Sequence, residues 1–182
     1  IANETPHGDA RDRFLSNLAK AAREKDNSRL LSMAMERSDK SATVLSIQDR
    51  MSEYVDIISC NQYLGWYDGL NEKIDRVRWE VDYEKPLVFS EMGGAAVAGY
   101  HGDKTQIWTE EYQEELYRKT LRMIDERMPP VAGISPWILM DFRSPRRLLP
   151  QIQDGFNRKG LISNHGQKKK AFYILQEWYR NK

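Results

Sequence analysis

The sequence has very little of what metal and thiol chemistry needs. It contains one cysteine, Cys60, so no internal disulfide can form and no Cys-x-x-Cys pair exists. Its three histidines, His7, His101 and His165, lie far apart and give no zinc-ligand spacing. No metal site and no cofactor is therefore expected. No glycine-rich loop follows a strand, as the dinucleotide folds require. Neither charge sign dominates: 28 Lys and Arg stand against 27 Asp and Glu, which argues against a nucleic-acid partner. The one basic run, Lys168-Lys169-Lys170, reads as the solvated start of a helix. No apolar run approaches the roughly 20 residues needed to span a bilayer, so no membrane partner is expected. The sequence also lacks an initial methionine. It opens on what reads as a strand end, and the chain is expected to be a piece of a longer protein, in which case a missing leader carries no weight.

What is present is an alternation. Ile1 to Glu4 reads as the tail of a buried strand. Asp9 offers an N-cap for a helix over Arg11 to Lys25, with Phe14, Leu18 and Ala22 on its inner face. Leu30 to Met35 reads as a strand, Ser46 to Met51 as a short helix, Tyr54 to Tyr63 as a strand and Leu70 to Val81 as a weaker helix. Lys85 to Glu91 is a buried strand ending in a polar pair, followed by the turn signal Gly93-Gly94. Thr109 to Arg127 is the strongest helix, with Tyr112, Leu116, Thr120 and Met123/Ile124 on one face. Val131 to Met140 is a strand, Arg143 to Gly160 a long polar loop, and Gln167 to Tyr179 a closing amphipathic helix. Strands alternating with helices predict an α/β fold with a parallel sheet. Polar residues gather at strand C-terminal ends, at Asn3-Glu4, Asn61, Ser90-Glu91 and Asp141, which is where barrel enzymes place their chemistry. The chain is thus expected to be the C-terminal part, about strands 4 to 8, of a (β/α)8 TIM barrel, spanning residues 1–182, with the earlier strands upstream.

Glu4 and Glu91 each end a strand and each follows a small polar residue. Two carboxyl groups on separate strands suit glycoside hydrolysis, where one protonates the leaving oxygen and the other attacks the anomeric carbon or activates water. Five blocks sharpen this: Ile1-Ala2-Asn3-Glu4, Asn61 to Tyr67, Phe89 to Gly93, Trp108 to Gln113 and Trp137 to Phe142. Together, and in this order, they resemble glycoside hydrolase family 2 over nearly the whole chain, and are most similar to its β-glucuronidases, with β-galactosidases near by. The resemblance implies a retaining mechanism with Glu4 as acid/base and Glu91 as nucleophile, and Asn3 bonding the sugar 2-hydroxyl. It also implies that Tyr63 supports the nucleophile, Tyr67 reaches the sugar's acid group and Trp137 lines the pocket floor. Asn157 and Lys159, in Asn157-Arg158-Lys159, resemble the Asn-x-Lys motif that receives the sugar 6-carboxylate. Cation and amide together are the donors a carboxylate wants.

The implied partner is a carbohydrate, a β-glucuronide or related β-glycoside. Three rivals stand beside this reading. A β-galactosidase or β-mannosidase would use the same glutamates on another sugar. A carbohydrate-binding barrel would keep the fold without turnover. The isolated segment is expected to be inactive, or to need self-association as a homo-oligomer or a complementing segment, because part of a barrel leaves strand edges open. The compartment stays open between export from a glycan-degrading bacterium, to the periplasm or beyond, and the cytoplasm.

Overall fold

The computed structural model describes residues 1–81 and 83–182. They form two compact units, one of Ile1–Gln62, Val77–Glu91 and Arg127–Ser135, the other of Tyr63–Arg76, Met92–Glu126 and Pro136–Lys182.

The first unit begins with helix α1, Asp9–Lys25. Acidic Asp9 and Asp12 lie in its first turn and basic Arg23 and Lys25 in its last, which suits the helix dipole. Gly8, not Asp9, holds the cap position. The buried stripe is Leu15 and Ala19, and Phe14 is 66% exposed, so the expected inner face is turned by one residue. The rows 14-18-22 and 15-19 are both apolar, and periodicity alone does not choose between adjacent rows.

Strand β1, Ser32–Met35, is followed by β2, Arg37–Ser41, and β3, Val44–Ile47. A 3-10 turn, Arg50–Tyr54, leads to β4, Ile57–Gln62. The expected helix at Ser46 to Met51 is therefore a strand end and a 3-10 turn. Leu45 and Ile47 are buried in sheet pairing, and Asp49 caps the turn by accepting the N–H of Met51 at 2.9 Å. A bidentate ion pair from Arg11 to Asp49, at 2.7 and 2.5 Å, ties α1 to that turn.

Between β4 and the next strand, helix α2 is only Asn71–Ile74, and β5, Arg78–Glu80, replaces the rest of the expected helix. β5 pairs in parallel with β3, setting Trp79 beside Leu45, and Trp79 also packs on Phe89 with ring centres 5.3 Å apart. Strand β6 is Leu87–Met92. After it come α3, Glu110–Arg127, and β7, Val131–Pro136. The main sheet runs β1-β4-β6-β7, with β1 and β4 parallel. Asn3 extends it by a parallel bridge to Ala34, clasped by Ala34 N–H to Ala2 O and Glu4 N–H to Ala34 O, both 3.0 Å. The five expected strand segments are all present in order, the first as a single bridge.

The second unit carries α3, whose Tyr112, Leu116, Thr120, Met123 and Ile124 are buried as the periodicity predicts. The Thr109 hydroxyl caps it by accepting the N–H of Tyr112 at 3.0 Å. The long polar loop contains a two-stranded hairpin of β8, Phe142–Arg143, and β9, Phe156–Asn157. Helix α4, Lys170–Arg180, buries Ala171, Ile174 and Leu175, while Tyr179 is half exposed. The solvated reading of Lys168-Lys169-Lys170 fails at its centre: Lys169 is fully buried.

Candidate active site

In the first unit the ends of three strand segments are joined through side chains. Ser90 Oγ donates to Asn61 Oδ1 at 2.7 Å, and Asn61 Nδ2 donates to Asn3 Oδ1 at 2.9 Å. The two residues at the ends of this chain of bonds, Asn3 and Ser90, immediately precede Glu4 and Glu91. Glu4 is exposed and Glu91 half-buried. Glu4 also has a φ of 46°, in the left-handed region that costs a non-glycine residue roughly 1 kcal/mol or more and that gathers at functional sites. Its charge reaches into β4. Burial pushes the Cys60 thiol up to about 12, and the Glu4 carboxylate adds to that against the opposing Arg37. The thiol therefore stays protonated, and Cys60 is an inert core residue.

Asn61 stood out in the sequence only as one more polar strand end. Its bridging role needed the register of three strand ends, which no local pattern carries.

The second unit builds a cationic, aromatic pocket of about 310 Å³, at the lower end of the size range of small-ligand sites. Trp66, Tyr67, Trp108, Arg147, Asn157 and Lys159 are among its walls. Lys159 is 3% exposed. Its ammonium donates to the Tyr67 hydroxyl at 2.5 Å and lies 4.4 Å from the Tyr67 ring centre and 5.5 Å from that of Tyr63. Asn157 Oδ1 accepts the backbone N–H of Lys159 at 3.1 Å, which folds the motif into a tight turn. Arg147 donates to the same Tyr67 hydroxyl at 3.0 Å. Burial raises the Tyr67 phenol, but the bonds and charges of Lys159 and Arg147 outweigh it and hold the group below its usual value. Two cations thus converge on one oxygen, an arrangement suited to an anionic group.

The turn from Tyr63 to Asp68 that presents these aromatics depends on Gly65. Its φ is +80°, and a Cβ there would lie 2.8 Å from Asn71 Oδ1 and 3.0 Å from Ile74 Cδ1. Trp137 stands apart from the pocket. It is half-buried, its backbone N–H donates to Met92 O at 2.8 Å, its ring meets Phe142 edge-on at 6.2 Å, and it is not among the residues lining the pocket. Tyr63 joins the Lys159 cluster. Asp141 pairs with Lys169, and the Arg143 guanidinium faces the Phe156 ring at 5.9 Å. Arg147 stood only within the long polar loop from Arg143 to Gly160, and nothing in its sequence context singles it out from Arg143 or Arg146. Among the described residues no group of three or more His, Cys, Asp or Glu could hold a metal ion, and no helix is long and apolar enough to cross a membrane.

Residues 1–181 match a family model described as glycosyl hydrolases family 2, TIM barrel domain. A β-glucuronidase of Chlorocebus aethiops is 34% identical over 143 residues, covering 72% of this chain and 21% of that protein. The chain thus spans about a fifth of the length of the curated relatives it matches. Among solved structures, a β-glucuronidase of Ruminococcus gnavus superposes with a TM-score of 0.77 at 25% identity, over 100% of this chain and 32% of that one. A β-galacturonidase of Eisenbergiella tayi, bound to galacturonate, has a TM-score of 0.76 at 23% identity, over 99% of this chain and 32% of that one.

Proposed function

Because the chain belongs to family 2 of the glycosyl hydrolases, as part of its TIM-barrel domain, we propose that the protein carrying it is a retaining β-glycosidase acting on terminal β-D-glucuronides. Glu4 gives its proton to the leaving oxygen while Glu91 attacks the anomeric carbon, so that the glycosidic bond breaks as a covalent glycosyl-enzyme forms. Glu4, now a carboxylate, takes a proton from water. The resulting oxygen attacks the same carbon and releases Glu91. Such a step needs the two carboxyl groups about 5–5.5 Å apart. Asn3 orients the 2-hydroxyl. Its Oδ1 accepts a bond from Asn61, and its amide nitrogen carries donors of the kind a hydroxyl oxygen accepts.

The observation that carries the choice of sugar is the buried Lys159 ammonium beside Asn157, Tyr67 and Arg147. An ammonium with an amide two residues away supplies the charged and neutral donors that a carboxylate takes, and the Arg147 guanidinium meets the same Tyr67 hydroxyl. The β-glucuronidase relatives support the same sugar. Tyr63 is assigned to supporting the nucleophile, and Trp137 to the floor under the sugar ring, not to the Lys159 pocket.

A second reading is favoured by the same cluster: a uronide with the other C4 configuration would offer an identical carboxylate. The test compares kcat/KM of the complete protein on p-nitrophenyl β-glucuronide, β-galacturonide and β-galactoside, with Glu91→Gln as control. Glucuronide preference abolished in Glu91→Gln supports the proposal. Galacturonide preference keeps the carboxylate pocket and changes the sugar. Galactoside preference removes the acid-recognition role, and no turnover of any substrate leaves a carbohydrate-binding barrel.

A further inference from the structure

Lys169 sits at the cap position of α4, in the middle of a lysine run, yet none of its side chain is exposed. An ammonium has three donors, and here each has an acceptor. One goes to Ala96 O at 2.6 Å, one to Arg158 O at 3.0 Å and one to Asp141 Oδ1 at 2.9 Å. The same Asp141 oxygen accepts the N–H of Gly160 at 2.8 Å. The carbonyl just before Lys159 and the N–H just after it are therefore held by one buried ion pair. Ala96 N–H also donates to Arg158 O at 3.0 Å, and the Gln113 amide holds the next carbonyl along, Gly160 O, at 3.2 Å.

We propose that the buried Lys169–Asp141 pair is a positioning device for Lys159, fixing the peptide on both sides of it and so setting the cation that receives the sugar's acid group. This rests on the reading of Lys159 given above. Burial acts against both charges, pushing the Asp141 carboxyl up and the Lys169 ammonium down. A well-packed apolar pair of similar volume is often at least as stable as a buried ion pair. What apolar side chains could not do is bind the two backbone groups that flank one functional residue. The same logic makes supporting hydrogen bonds decisive for the geometry of functional groups elsewhere.

The experiment uses Lys169→Met and Asp141→Asn in the complete protein, with folding checked by circular dichroism and melting. Asp141→Asn keeps the size and an acceptor for Gly160 while dropping the charge, and it decides alone if Lys169→Met does not fold. A truncation further along α4, Leu175→Ala, controls for lost stability. With loop placement disturbed, KM for p-nitrophenyl β-glucuronide should rise about 10-fold or more with kcat nearly unchanged, and β-galactoside parameters should not move. A second readout does not depend on the substrate. In protein labelled with 3-fluorotyrosine, the Tyr67 resonance, assigned through Tyr67→Phe, should titrate at higher pH once Lys159 leaves its hydroxyl. Folded variants that keep both the glucuronide KM and the Tyr67 midpoint overturn the proposal. If the wild type shows no preference for glucuronides, the substrate reading falls and the Tyr67 midpoint decides: a shift upholds the positioning role and no shift overturns it.

Discussion

The two units hold their candidate residues by different means. In the first, Asn3, Asn61 and Ser90 are linked side chain to side chain, each on its own strand end. In the second, Lys159 is gripped through the backbone on either side of it, by Asp141, Lys169 and Gln113. Side-chain links can be removed one at a time with local consequences. A backbone grip couples the placement of one functional group to several buried partners, so a small intrusion there should be felt as lost stability as well as altered recognition.

Glu91→Gln is the sharpest test on the side of the strand ends. Loss of the nucleophile should lower kcat/KM by ~10³-fold or more on every substrate turned over, and a variant retaining a tenth of wild-type activity would remove Glu91 from that role. Against it stands Gly160→Ala, in the backbone-held loop. A Cβ there would lie 2.2 Å from the Asp141 backbone nitrogen and 2.4 Å from Ile162 O. Overpacking against backbone should destabilise by about 3 kcal/mol or more, read as a clear drop in denaturation midpoint; an unchanged midpoint would show that the loop is not held as tightly as its contacts imply. Lys159→Ala comes next. Removing one charged hydrogen-bond donor should reduce kcat/KM by roughly 10- to 100-fold on glucuronides and leave neutral sugars nearly untouched. An equal loss on galactosides would make Lys159 structural.

Asn61→Ala removes both links of the strand-end chain, and should destabilise by about 1–2 kcal/mol at ordinary values per bond. Chemical denaturation measures it, and a midpoint unchanged from wild type would show that these side-chain bonds do not hold the strand ends. The smallest effect concerns Glu111. Burial raises its carboxyl, but bonds from Lys170, its own backbone, His101 and Gly102 outweigh this and bring it to about 2, against an ordinary 4.5. A folded-state value below the unfolded one adds stability that is complete above about 4.5 and lost as pH falls toward 2. Glu111→Gln should flatten that part of the acid-unfolding curve, and an unaltered acid limb would contradict the assigned bonds.

Much of the fold was legible locally. The runs at Leu87–Met92 and Glu110–Arg127 are long, strongly patterned and bounded by proline or glycine, so periodicity alone located them. The errors fall where local signals were balanced. Phe14 and Leu15 both fit an inner helix face, and burial chose Leu15. Val44–Ile47 and Arg78–Glu80 are short segments whose strand character comes from pairing with each other, which no window of sequence contains.

The candidate residues divide the same way. By itself the sequence determined the residue types and their order: two glutamates after small polar residues at strand ends, and an asparagine and a lysine two apart before a glycine. Chemistry restricts which side chains can serve as proton donor, nucleophile or carboxylate receptor, so type and order survive without coordinates. Only the tertiary structure decided that Asn61 bridges Asn3 and Ser90, that Arg147 meets Tyr67, and that the middle lysine of a basic run is buried against Asp141. A lysine carries the same charge whether solvated or buried, and what makes it one or the other is the set of acceptors that distant segments bring to within 3 Å of its nitrogen.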